Sequence, residues 1–327
     1  MADPGESRKQ HDVGRTGWLV GLIAIAGLIG AVLHFGEIER FAAMLRRAEP
    51  FWLLAALALQ GSTYVEVSAG WNLVLARAGA PRPLRRLLPV ALAKLFADQA
   101  LPGAGMGGNV VLVARLTALG VPRSAAVAAL LVSLVGYYAA YALLALFMLL
   151  VLWLHGRATP LLVGLVTAFL LVALAIPSLA LWLRARGSRP LPAWIERLGP
   201  IRKLLEIMGE APRDLVADRR LIARVAGCNA LVFLADSLTL AACLCALGEP
   251  LLPASAFIAL MTASIVATLG PIPMGLGSFE ATSTAMLGML GVPIEPALAA
   301  TLLLRGLTLW LPLVPGMILL RAKRTPT

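Results

Sequence analysis

Four carboxylates stand in apolar stretches of this chain: Glu66, Asp98, Asp236 and Glu280. A charge inside a bilayer is costly, so such groups are usually paired or functional. Glu280 is the most informative of them. It follows Leu269-Gly-Pro-Ile-Pro-Met-Gly-Leu-Gly-Ser-Phe279, where two prolines and three glycines cannot continue a helix cheaply. Broken backbone at membrane depth must be buried in protein or line a wet cavity, because lipid satisfies neither N–H nor C=O. Glu280 falls in the first turn of an expected helix over 278–290, where the helix dipole favours negative charge. Arg305 lies about eight residues, roughly 12 Å, into the last apolar segment, a depth that matches a break near the midplane. A Glu280–Arg305 pair is expected. It would serve either a translocated substrate or as an ion pair that locks the break to the last helix.

An earlier stretch has the same plan. Shifting the numbering by 171 lays Gly120-Val121-Pro122 on Gly291-Val292-Pro293, Leu119 on Leu290, Pro102 on Pro273 and Asn109 on Glu280. The breaks at 103–108 and 270–277 overlap under this shift. Two short apolar segments interrupted at matching places mark the binding site of many transporters. Lys94 and Asp98, spaced i, i+4, can pair on the first half-helix. Lys94 and Arg115 either meet a lipid phosphate or snorkel to the interface. The half-helices that begin near Gly108 and Gly277 aim their N–H groups at the midplane, and such ends bind anions. The candidate substrate path is therefore Lys94, Asp98, Gly107, Gly108, Asn109, Arg115, Gly275, Gly277, Glu280 and Arg305. Glu66 and Asp236 are candidates for proton coupling. Glu66 has Gln60, Ser62, Thr63 and Asn72 nearby, and Asp236 shares a helix face with Asn229.

These residues need elements to hold them, and composition says which. The 327 residues are 60% hydrophobic and 14% charged, with mean hydropathy +0.87. Soluble domains are near half apolar and a quarter charged, so this is an all-α polytopic membrane protein. Its net charge of +11 sets topology and is not a nucleic-acid signature. Cys228, Cys243 and Cys245 lack metal-ligand spacing and read as small core residues. The three histidines, His11, His34 and His155, lie in the tail or at helix ends. Neither a Walker A lysine motif nor a Gly-x-Ser-x-Gly elbow is found. Gly103-x-Gly105-x-Gly107-Gly108 follows no strand, so it is no dinucleotide loop. No enzyme activity, cofactor or metal is expected.

Six spanning helices are expected at about 18–35, 51–76, 124–154, 160–183, 222–247 and 297–320, with two re-entrant helical hairpins at 87–119 and 255–291. Each hairpin arm, about 13–17 residues, is short for a core of about 30 Å. The expected layout is a tail over 1–16, one transmembrane domain over 17–320 and a second tail over 321–327. The apolar run at 18–35 reads as an uncleaved first helix. A cytoplasmic N-terminus puts Arg77, Arg82, Arg85 and Arg86 inside, together with the basic loop 185–221 and Arg321, Lys323 and Arg324. The short outer turns at 155–159, 248–254 and 292–296 hold only Arg157. Segment 36–50 is the exception, with Arg40, Arg46 and Arg47 balanced by three glutamates. This charge bias fits the positive-inside rule, with both termini cytoplasmic. Trp18, Trp52, Trp153 and Trp182 fall at helix ends, as an aromatic belt would place them. Three full crossings separate the hairpins, so the repeat is inverted. Loop 185–221 reads as short amphipathic helices on anionic lipid, or as a docking site for a partner.

Leu101-Pro102, Gly107-Gly108-Asn109 and Gly120-Val121-Pro122, with Pro271, Gly275-Leu276-Gly277, Glu280, Gly291-Val292-Pro293 and Leu304-Arg305 before Trp310-Leu311-Pro312, form a recognisable set. It resembles the flippase-like family, the transmembrane domain of lysyl-phosphatidylglycerol synthases and their stand-alone relatives. Trp71 fits the same pattern, and the Gly-Gly form of the first break is similar to the hopanoid-associated branch. The resemblance covers about 50–320. Asn109 departs from it, since an acidic residue is expected there, which weakens the case for ion chemistry in the first copy. The resemblance implies translocation of an amphipathic lipid with a polar or anionic headgroup between leaflets of a bacterial inner membrane. The soluble aminoacyl-transferase domain of the full-length synthases has no counterpart in these residues, so lysine transfer is not expected. Two other readings stand beside it. One is a non-transporting accessory or scaffold subunit for a lipid- or glycan-synthesis enzyme, docking through loop 185–221. The other is a membrane-embedded transferase acting on a lipid carrier.

Overall fold

Polarity is turned inside out in this protein. Leu143, Phe147, Trp153, Leu161, Leu171 and Leu174 are exposed on two long helices, while Gln60, Ser68, Ser237, Thr239, Ser283 and Thr301 are buried. Hydrocarbon accepts the first set without cost, and the second set is kept from it inside the bundle. The computed structural model describes residues 49–100, 106–186, 212–270 and 275–310, with 46, 48 and 272 besides. Among them all regular structure is helical. The protein is a multi-pass, all-α membrane protein.

The helices are α1 (Pro50–Arg77), α2 (Leu84–Ala100), α3 (Met106–Ala118), α4 (Arg123–Leu154), α5 (Pro160–Arg186), α6 (Arg213–Ala217), α7 (Arg219–Ala246), α8 (Pro253–Leu269), α9 (Ser278–Met289) and α10 (Ile294–Arg305), which runs into a π-helical turn, Gly306–Trp310. Among the described residues, three stretches are both long and apolar enough to cross a bilayer: α4, Pro160–Leu179 of α5, and α7. With 28 residues, α1 equals α7 in length and reaches about 42 Å. It falls short on apolarity because it carries Gln60, Ser62, Thr63, Glu66, Ser68 and Asn72. Gln60, Thr63 and Ser68 are turned into the bundle. The expected crossings at 51–76, 124–154, 160–183 and 222–247 thus correspond to α1, α4, α5 and α7. The expected helix at 18–35, the break tip 101–105, most of the basic loop (187–211) and the C-terminal 311–327 lie outside the described residues.

Packing centres on α7, which lies along α1 and α4. Small residues permit the close approach. A Cβ on Gly136 would lie 2.9 Å from Val225 Cγ1 and 3.1 Å from the Ala226 nitrogen. Cys243 and Cys245 are buried and Cys228 is half-buried, all three as free thiols. One apolar cluster gathers Tyr141, Phe169, Phe233, Met261 and Leu287 around α8 and α9. A second gathers Trp71, Leu87, Leu112, Leu116 and Leu131 around α2 and α3. At the start of α7, Asp218 caps the helix by accepting from the Arg220 and Leu221 N–H groups at 3.0 and 3.1 Å. Arg77, the last residue of α1, lies 3.5 Å from the same carboxylate. These contacts hold the Asp218 carboxyl below its ordinary range, the Leu221 N–H contributing most.

The two expected hairpins are present as helix pairs, α2 with α3 and α8 with α9. The outgoing arms, 13 and 12 residues long, reach about 18–20 Å, well short of a full crossing. Both arms end in the same Schellman motif. The Val121 N–H reaches the Leu116 carbonyl at 3.2 Å, and the Val292 N–H reaches the Leu287 carbonyl at 3.0 Å. Gly120 (φ 77°) and Gly291 (φ 98°) occupy the left-handed position in each. Val121 and Val292 are both buried, and Pro122 and Pro293 each stand just before the next helix. The repeat read from Gly-Val-Pro is therefore a repeat of hydrogen bonds.

Candidate functional site

The second break closes on Glu280. Gly277, at φ 83°, is the N-cap of α9, a conformation that glycine adopts without strain. Its N–H donates to Glu280 Oε2 at 2.7 Å. Arg305 Nε donates to the other oxygen, Oε1, also at 2.7 Å. The two side chains are only 11% and 17% exposed for Arg305 and Glu280 respectively. The guanidinium sits 4.8 Å from the centroid of the Phe279 ring, close enough for a cation–π contact. One carboxylate thus joins three elements: the glycine turn, α9 and α10. A buried Ser283–Thr301 hydroxyl contact at 2.9 Å ties α9 to α10 one turn away. Gly275 (φ 63°) is needed for a second reason, since a Cβ there would run into Ala267 of α8. Pro271, Pro273 and Met274 of this break lie outside the described residues.

Arg305 is placed differently from expectation. Pro293 starts α10 at Ile294, ahead of the expected 297, and Arg305 is the last residue of this 12-residue helix. It therefore lies about 17 Å along the helix, nearer the midplane of a core of about 30 Å. The five residues after it are π-helical, a local widening that recurs at functional sites.

The first break uses the same chemistry from the opposite arm. Asp98, on the incoming helix α2, accepts from the Gly108 N–H through Oδ1 at 3.0 Å. Lys94 Nζ holds its Oδ2 at 2.7 Å. The side chain of Asp98 lies where a Cβ on Gly108 would be, so only glycine fits. Each hairpin thus has a carboxylate that bridges a break amide and a cation. In the second the acid comes from the outgoing arm, in the first from the incoming arm. Asn109, which holds the position matching Glu280, is not the bridging residue. It lines a groove of about 380 Å³ with Val110, Val113, Thr117, Arg123 and Leu130. Arg115 is half-buried in the last turn of α3. Gly107 lies in the first turn of that helix.

Two contacts were not foreseen from the chain. The Asp98–Gly108 bond needs the hairpin to close before it exists. Arg82 donates from Nε to the Leu119 carbonyl at 3.0 Å and from Nη2 to the Gly120 carbonyl at 2.8 Å. It thereby caps α3 where orphan carbonyls attract a cation. Away from the hairpins, Glu66 Oε1 accepts from Ser62 at 3.4 Å. Asn229 turns its amide back to the Val225 carbonyl of its own helix at 2.9 Å. Among the described residues no group of three or more His, Cys, Asp or Glu side chains is placed to hold a metal ion.

Comparison with known proteins agrees with this architecture. No curated protein matches the chain. The family described as the lysylphosphatidylglycerol synthase TM region matches it over residues 18–316. With the greater part of its length inside that match, the chain belongs to this family.

Proposed function

We propose that this protein moves an amphipathic lipid with a polar or anionic headgroup between the leaflets of a cell inner membrane. The observation that carries the reading is the pair of clamped hairpins. Two short, glycine-broken helix pairs each hold a carboxylate and a cation at the break, in a membrane domain of a lipid-related family. Charged groups kept at such depth mark substrate paths. The headgroup passes the breaks near Glu280, Arg305, Lys94 and Asp98, while the tails stay in hydrocarbon. The groove beside α3 suits this division, with apolar Val110, Val113 and Leu130 along it and Asn109, Thr117 and Arg123 as polar points. Both termini are cytoplasmic in this reading, the first hairpin enters from the cytoplasm and the second from outside, so the repeat is inverted. The chain acts as a transporter and not as an enzyme.

The test is leaflet exchange of headgroup-labelled lipids in proteoliposomes, wild type against Glu280→Gln. The panel holds phosphatidylglycerol, an aminoacylated derivative and a polyprenyl-phosphate lipid. Exchange that depends on Glu280 is expected for at least one of them. No exchange with any lipid, from protein shown to be folded, overturns the reading and favours an accessory role. A covalently altered lipid overturns it in favour of a transferase.

A further inference from the structure

A second polar region lies between α1, α4 and α7, away from both hairpin breaks. Gln60, Tyr64 and Ser68 recur every four residues on α1 and so share one face. Each has a buried oxygen with no hydrogen-bond partner: Gln60 Oε1, Tyr64 Oη and Ser68 Oγ. Asp236 Oδ1 on α7, Ser133 Oγ on α4 and Glu66 Oε2 on α1 are in the same condition. Gln60 is 5% exposed and Ser68 is fully buried.

Three of these side chains, Gln60, Tyr64 and Glu66, lie close enough to Asp236 to act on its charge. The Gln60 amide lies within hydrogen-bonding reach of its carboxylate. Tyr64 and Tyr137 both lie within range of its charge. The Gln60 nitrogen is already turned to Thr63 Oγ1 at 3.3 Å. Asp236 Oδ1 is left without a partner, and among the described residues no lysine, arginine or histidine pairs with this carboxylate. Buried acceptors left this way cost free energy that a structure rarely tolerates without purpose. One proton on Asp236 removes the unpaired buried charge. An O–H bond forms at Oδ1, and on release the proton passes to water or to Glu66. The other titratable groups around Asp236 are Tyr64 and Glu66 from α1, Tyr137 and Tyr138 from α4 and Cys228 of α7, which faces Glu66. Helix α8 carries no titratable residue. Helix α10 carries Glu295 and Arg305 at its two ends, and Arg305 is held by Glu280.

We propose that Asp236, with Gln60 and Tyr64 as its partners, is an internal proton-binding site whose loading and release drive lipid movement at the hairpins. The coupling half of this inference rests on the translocation reading above; the proton-binding half does not. Two measurements separate them. Difference infrared spectroscopy of the reconstituted protein should show a protonated-carboxyl stretch that disappears on alkalinisation and is missing in Asp236→Asn. In proteoliposomes, a gradient of one pH unit should bias the steady-state leaflet ratio of the labelled lipid by up to about tenfold, the limit that one proton per cycle sets. Asp236→Asn should abolish that response, and Tyr64→Phe, which keeps the ring, should weaken it. A wild type without the titrating carboxyl band overturns the proton site, whatever exchange does. A gradient response retained in Asp236→Asn overturns the coupling. Exchange driven by a sodium gradient and indifferent to pH overturns the choice of proton. Absence of all exchange, with the carboxyl band present, counts against translocation and leaves the site standing.

Discussion

Arg305 is paired with one carboxylate and lies against one aromatic ring, both partly buried with it. Removing one member of such a pair strands the other, which costs about 3–5 kcal/mol, far more than the pair contributes over an apolar isostere. Arg305→Ala should therefore be strongly destabilising in denaturant unfolding of the detergent-solubilised protein. Glu280→Gln should cost less, since its amide oxygen still accepts from Arg305. Glu280→Gln combined with Arg305→Met should recover part of the loss, with a coupling energy of about 0.5–3 kcal/mol. Costs that simply add would mean the two side chains are independent. This pair was legible in the chain because a lone acid and a lone base at matching depth have few other partners. Asp98 with Lys94 was legible for the same reason, at helical spacing. The reach of Asp98 to the Gly108 amide was not, because it depends on how tightly a glycine break lets two arms meet. Asn229 shares a face with Asp236, but spacing cannot show that its amide bonds its own helix.

At the scale of elements, sequence marked where helices stop better than where they start. Gly-Val-Pro ended both α3 and α9 by one hydrogen-bond pattern, and that pattern follows from residue type. The start of α10 at Ile294 came earlier than an apolar run alone suggests, because Pro293 serves as a helix start as readily as a break. The start of α7 rests on Asp218, and its carboxyl is held below the ordinary range by the N–H groups it caps and by Arg77. The lowered folded value means that its contribution is present above the unfolded pKa of about 4 and is lost as pH falls through the folded value. Thermal melts of wild type and Asp218→Asn should differ at neutral pH and converge as the pH drops below about 4. A difference that persists in acid would mean that the charge is not what stabilises the cap.

At the scale of the whole molecule, α7 is the axis on which both hairpin-bearing halves pack, and Gly136 sets how near α4 can come. Gly136→Val should overfill that contact and destabilise by about 1–3 kcal/mol, read from the same unfolding experiment. No loss would show that the two helices separate freely. Composition alone made the membrane class plain. The number of crossings was less plain, since α1 spends its polar residues inside the bundle and so fails a test of apolarity that it meets in length. The two Schellman ends have one more use. A chain that contains the same motif twice carries its own control experiment. Gly120→Ala and Gly291→Ala both force alanine into the left-handed region, at about 1–2 kcal/mol each, beside different neighbours. A Cβ at 120 would stand 3.4 Å from Arg82 Nη2, whereas one at 291 meets nothing within 4 Å. An excess cost of Gly120→Ala in unfolding that disappears in an Arg82→Ala background therefore measures the Arg82 cap, with the other half of the protein as the reference state.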